Sequence, residues 1–143
     1  MCRSVSLADE YYIRQNEVNS FKYIQIPIQL ITSELFNSVS DGAKILYGLL
    51  FNRLSLSVSN KMCDEKGRYY VYYTIENVVK DLNICNTKAK KLFAELVNIN
   101  NTGIGLIKKV RYPNRASRIY IYRFDRIVKL IEIHKDPKNS GES

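Results

Sequence analysis

Apolar positions recur at helical spacing in three stretches of this chain, and each stretch carries its own start signal. Ala43, Leu46, Tyr47, Leu50, Phe51 and Leu54 form one stripe, with Ser40 as a good N-cap and Asp41 in the first turn, so a helix is predicted to begin near Ser40. Ile45 and Leu49 add apolar groups off that stripe; this helix is expected to be enclosed on most sides and to form the centre of the core. Ile75, Val78, Val79 and Leu82 make a second, shorter stripe, with Thr74 as N-cap and Glu76 at the positive helix start. After a break at Asn83-Ile84-Cys85, Asn86 is placed to cap a third helix whose Ala89, Leu92, Phe93, Leu96 and Val97 fall at i, i+3, i+4, i+7 and i+8. Two short amphipathic helices joined by about three residues form a helix-turn-helix.

Strand-like alternation fills the rest. Residues 61–63 and 68–73 flank a turn at Asp64-Glu65-Lys66-Gly67, a hairpin signal. Tyr69, Tyr70, Tyr72 and Tyr73 suit base stacking, but half-exposed strand residues with phenol groups at the surface are the plainer expectation. A second hairpin is predicted from residues 106–111 and 118–124, joined by a loop over 112–117. Residues 21–30 read as an edge strand or arm, because Pro27 cannot donate to a central ladder. A last helix is expected over 125–134, with Ile127, Leu130 and Ile131 on one side, resting on the domain in preference to a second subunit, before Asp136-Pro137 ends it. The parse is therefore an N-terminal arm (1–20), one domain (21–124), and a short C-terminal helix with a disordered, linker-like tail (125–143).

Composition narrows the class. At 143 residues with 45% hydrophobic and 25% charged side chains, one self-sufficient core is expected. No apolar run reaches the roughly 20 residues that a bilayer demands, and no signal-type stretch follows Met1, so the protein is expected in the cytoplasm with no membrane partner. Cys2, Cys63 and Cys85 share no metal-type spacing and read as free thiols. Nicking chemistry of the rolling-circle kind needs paired histidines and a tyrosine nucleophile, whereas His134 stands alone. Asp64 and Glu65 sit in a turn without a third acid at metal-site spacing, and there is no phosphate-binding glycine loop of the Walker type. No catalytic residue, metal or cofactor is expected; the chain reads as a binding module.

What it binds is suggested by where its charge lies. Residues 84–123 hold nine Lys and Arg against one acid, Glu95, a balance of +8 that equals the net charge of the whole chain. A surplus confined to one segment suggests a docking face for a polyanion. On a helical wheel Thr87, Lys91 and Ala94 point away from the core stripe, with Lys88 and Lys90 on its shoulders, which suits a recognition helix whose first residues enter the major groove. The hairpin that follows completes the order of a winged helix, with Lys109, Arg111, Arg115 and Arg118 at or near its tip, where arginines suit phosphate or a narrow minor groove. The expected fold class is α+β: a winged helix-turn-helix with an additional β-hairpin between the first core helix and the helix-turn-helix.

The segments "FKYIQIP", "SDGAKILYGLLFNRLSLS" and "DEKGRYY", beginning at Phe21, Ser40 and Asp64, closely resemble the N-terminal domain of the replication initiator A proteins of plasmids and integrative elements in Gram-positive bacteria. The resemblance covers about residues 21 to 124. It implies a winged-helix domain that binds repeated double-stranded sites at a replication origin, usually as a dimer, with a separate C-terminal domain that engages host replication proteins. By position it implies a recognition helix starting with Asn86, Thr87, Lys88, Lys90 and Lys91, and a wing holding Lys109, Arg111, Asn114, Arg115 and Arg118. The connection over 98–105 is longer than the family's usual link between these two parts, and the tail reads as the beginning of a linker to such a C-terminal domain. Two other readings stand beside this one: a transcription repressor on the same scaffold, and a non-catalytic winged helix that contacts helicase or primase through its tyrosine-rich hairpin.

Overall fold

Pro27 starts a helix instead of sitting in an edge strand. In the computed structural model, which describes residues 8, 10, 22–99 and 102–135, residues 22–27 form neither helix nor strand and α1 spans Ile28–Thr32. Pro27 occupies the N-cap at φ −57°, and its carbonyl accepts from Leu30 N–H at 3.0 Å. At a helix start its missing N–H removes no hydrogen bond, so the residue read as a sign of an edge strand serves a cap equally well. The arm of residues 1–20, apart from 8 and 10, and the tail beyond 135 lie outside the described residues.

The segment before α1 crosses the longest helix, α2 (Asp41–Ser59), at Gly48. A Cβ there would lie 2.7 Å from Ile26 Cγ1 and 2.9 Å from Ile24 Cδ1, so the glycine lets the two segments touch. Ser40 caps α2 as its sequence promised, its Oγ accepting from Ala43 N–H at 3.3 Å. Ala43, Leu46, Tyr47 and Leu50 are buried to 0% exposure, but Ile45 is exposed, so the helix is enclosed along its stripe and not on most sides. Between α1 and α2 a short 3₁₀ helix, Glu34–Phe36, delivers Phe36 to the core.

The hairpin expected between α2 and the helix pair is reduced to a turn with a single bridge, Cys63 to Tyr69. Gly67, at φ +78°, closes the turn by donating to Asp64 O at 3.0 Å. Beyond it the chain finds a different partner: Val71 and Ile119 exchange N–H to O bonds of 2.9 Å, which ties this segment to the second hairpin.

α3 (Ile75–Leu82) and α4 (Asn86–Val97) follow. Thr74 and Asn77 form a reciprocal capping box, and Asn83 ends α3 in the left-handed region at φ 56°. The N-cap of α4 is Cys85 and not Asn86, which is the first helical residue; a cap read from side-chain type is easily off by one position. Ala89, Leu92, Phe93 and Leu96 are buried, whereas Val97 is partly exposed.

The connection from α4 folds back on the helix end. Leu106 N–H donates to Leu96 O at 2.8 Å and Ile99 N–H to Ile104 O at 2.8 Å. β1 (Ile107–Tyr112) and β2 (Arg115–Ile121) then pair antiparallel, with Lys109 opposite Ile119, Val110 opposite Arg118 and Tyr112 opposite Arg115. The six-residue loop expected at the tip contracts to a turn at Pro113-Asn114, because Asn114 adopts φ 64° and reverses the chain quickly. α5 (Phe124–Lys135) closes the core: Phe124 stacks on Phe36 at 5.4 Å, and Ile127, Val128 and Ile131 are buried. Leu130, expected on that side, is exposed in exchange for Val128. The result is an α+β domain of helices and a two-stranded sheet. No described helix is long and apolar enough to cross a membrane.

Candidate nucleic-acid interface

Because Ala89, Leu92, Phe93 and Leu96 of α4 turn inward, the residues between them form an outward face. Asn86, Thr87, Lys88, Lys90, Lys91 and Ala94 are all exposed. The one acid of the basic segment does not share that face. Glu95 reaches the start of α2, where its carboxylate accepts from Ser40 N–H at 2.7 Å and from Ser40 Oγ at 2.9 Å. Ser40 thus caps α2 and ties it to α4, and a carboxylate at a helix start is electrostatically well placed. The charges on the outward face of α4 are then all positive.

Two contacts fix the direction of the hairpin relative to α4. Leu106 N–H bonds Leu96 O in the last turn of the helix, and three residues further along the chain the Lys109 ammonium lies 4.9 Å from the ring of Phe93, one turn nearer the helix start. β1 therefore leaves the C-terminal end of α4 and runs back toward its N-terminal end. The tip, at Pro113-Asn114, follows Lys109 past an irregularity between Val110 and Tyr112. There Arg111, Asn114 and Arg115 are exposed.

Lys109 and Arg118, expected at or near the tip, are held in mid-hairpin by aromatic rings. Burial, and then the nearby Arg111 charge, lower the Lys109 pKa. The Arg118 guanidinium lies 4.2 Å from the Tyr70 ring and 5.0 Å from the Tyr112 ring, and the Tyr120 hydroxyl favours its charged form against the cost of desolvation. Its Nε is buried with no hydrogen-bond partner. Asn114 serves the turn through its left-handed backbone. Of the ten residues singled out for DNA contact, α4 and the tip thus bring Asn86, Thr87, Lys88, Lys90, Lys91, Arg111, Asn114 and Arg115 to exposed positions, and fold Lys109 and Arg118 into packing contacts.

The tyrosine-rich segment makes contacts that its local sequence does not announce. Tyr73 is buried, which raises its pKa, and it donates its hydroxyl to Asp81 on α3, which raises it further. Tyr70 packs edge-on against Tyr72 at 5.4 Å and Tyr120 at 6.0 Å and holds Arg118. Asp64 anchors the assembly. Its carboxylate accepts from Lys66 N–H, Arg68 N–H and Arg68 Nε at 2.8–2.9 Å and from the Tyr120 hydroxyl at 3.2 Å. Desolvation works to raise its pKa, but these bonds outweigh it and hold the group at about 2. The alternation of Tyr70 and Tyr72 put two rings on one side of an extended segment; nothing local pointed to Arg118, 48 positions after Tyr70.

Fold and site together define a class: a small α+β domain in which two helices meet across a tight turn and a basic hairpin runs alongside the second. The chain belongs to the family described as Replication initiator protein A (RepA) N-terminus, whose model matches residues 22–134. Among solved structures it is similar to an N-terminal domain of a DNA binding protein (28% identity, TM-score 0.61, covering 88% of this chain and 95% of that one). It is also similar to a Rep–DNA complex (28%, TM-score 0.60, 88% and 96%) and to an MDR initiator (25%, TM-score 0.59, 87% and 98%). No curated protein matches the chain. A replication initiator family with a Rep–DNA complex among its structural neighbours supports a DNA-binding initiator role.

Proposed function

We propose that this chain is a winged-helix module that reads duplex DNA at the origin of a plasmid-type replicon in the cytoplasm. The first turn of α4 enters the major groove, where Thr87 and Lys88 meet base edges, and the β1–β2 tip, as the wing, lays Arg111 and Arg115 on the neighbouring backbone or minor groove. The observation that supports this reading is that β1 starts at the C-terminal end of α4 and passes Phe93, with exposed cations both on α4 and at the hairpin tip. Binding is the whole of its chemistry on this reading, since one histidine and a turn carboxylate offer no nucleophile-and-metal arrangement.

Selection of bound fragments from a random duplex pool tests it. A repeated or palindromic consensus is expected, and its symmetry reports whether two copies act together. Thr87→Ala or Lys88→Ala then shifts preference at particular base pairs by about 1–3 kcal/mol. Equal losses on every sequence would show that α4 is not the reader.

A further inference from the structure

The two faces of the hairpin differ. One, with Ile107, Lys109 and Ile119, packs toward Phe93 and the core. The other faces an open cleft of about 520 Å³ between the hairpin, the end of α2 and the turn after Asp64, within the range of about 300–1,000 Å³ typical of ligand sites. Four tyrosines, Tyr69, Tyr112, Tyr120 and Tyr122, surround it with Arg68 and Lys108, and no acid lines it.

These rings are not equivalent. Tyr120 is covered by Arg68 at 5.1 Å, and Tyr112 by Arg118 at 5.0 Å and Arg115 at 5.7 Å. Tyr69 and Tyr122 are 38% and 40% exposed, and among the described residues neither meets another ring or a cation. Arg68 is neutralised in part by Asp64 at 2.8 Å, whereas Lys108 is exposed and forms no ion pair among the described residues. The cleft therefore suits a ligand that is both anionic and flat-faced.

We propose that this cleft binds single-stranded DNA, with bases stacking on Tyr69 and Tyr122 and the backbone passing Lys108 and Arg68. Open aromatic rings beside a cationic track are how proteins hold unpaired strands without reading their sequence. An acidic peptide would satisfy the charges but leave the rings unmatched. The choice of DNA over RNA rests on the duplex reading above: the same hairpin carries the duplex-facing arginines, so a strand parted beside the bound site meets this face next.

The test is fluorescence anisotropy with a short, mixed-sequence, non-pairing labelled oligodeoxynucleotide and, separately, a duplex, using the full chain at low salt. Tyr69→Ala and Tyr122→Ala are each expected to weaken single-strand binding by roughly 5- to 140-fold while leaving duplex affinity within about twofold; Tyr69→Phe restores it. Lys108→Gln makes the single-strand salt slope shallower by about 0.7. A 5-iodouracil-substituted strand crosslinks to Tyr69 or Tyr122 under light. Four results overturn the proposal: no binding of the single strand, equal loss of single-strand and duplex binding in the tyrosine variants, tighter binding of the matching RNA, or displacement by poly-glutamate at equal charge. Failure of the duplex alone, with Tyr69-dependent strand binding retained, overturns the origin reading and leaves this cleft standing.

Discussion

Gly105 shows how one missing side chain positions a functional element. A Cβ at this residue would lie 2.0 Å from Val97 O and 2.6 Å from Leu96 O, and both are backbone atoms that cannot swing aside. Only glycine allows the chain to return against the end of α4 and make the Leu106–Leu96 bond that sets the direction of β1. Gly105→Ala is therefore expected to cost about 3 kcal/mol, read from urea denaturation; an unchanged midpoint would mean that the connection does not pack there. Asp64 offers a second residue-scale test. Because its folded pKa, about 2, lies below the ordinary value of 3.8, its ionised form stabilises the fold. That contribution is fully present above about pH 4 and is lost as pH falls toward 2. Denaturation midpoints measured across that window should fall less steeply in Asp64→Asn than in the parent chain, and parallel curves would remove Asp64 from the network.

At the scale of elements, α3 stands on its cap. Thr74 Oγ1 accepts from Asn77 N–H at 3.1 Å while Asn77 Oδ1 accepts from Thr74 N–H at 2.9 Å, satisfying two donors at the start of an eight-residue helix. Thr74→Ala should cost about 1 kcal/mol of global stability in chemical denaturation, and a neutral result would show that the helix is held by Val78 and its neighbours alone. Thr74 and Ser40 were legible as caps, and the stripes of α2, α3 and α4 were legible from spacing, because a helix writes its buried face into the local sequence every three or four residues. The sheet was half legible. Alternation marked β1 and β2, but the contraction of their loop depended on one residue, Asn114, entering the left-handed region. The pairing of Val71 with Ile119 and the seating of Arg118 on Tyr70 had no local signature, since both join segments more than 40 positions apart. The basic segment pointed to the interface as a whole; Lys109 and Arg118 are set apart from its exposed cations by their packing on Phe93 and Tyr70.

For the whole molecule, this division of cations changes how strongly salt should act. Five exposed cations, Lys88, Lys90, Lys91, Arg111 and Arg115, stand on the α4 face and the hairpin tip. Arg123 is drawn to Asp125 at 3.1 Å, and Lys108 belongs to the opposite face of the hairpin. If each of the five meets one phosphate, log K for duplex binding should fall against log salt with a slope of about −4.5. Arg115→Ala should weaken binding to every duplex and make that slope shallower by about 0.9, because one counterion fewer is released. Lys109→Gln makes the informative contrast. Its ammonium already sits over Phe93, so the substitution is expected to loosen the hairpin and reduce affinity at all salt concentrations while leaving the slope where it was. Anisotropy titrations at several salt concentrations distinguish the two. A Lys109 variant whose slope changes as much as that of Arg115 would mean that the lysine leaves Phe93 for a phosphate, and that the aromatic contacts do not govern which charges reach the DNA.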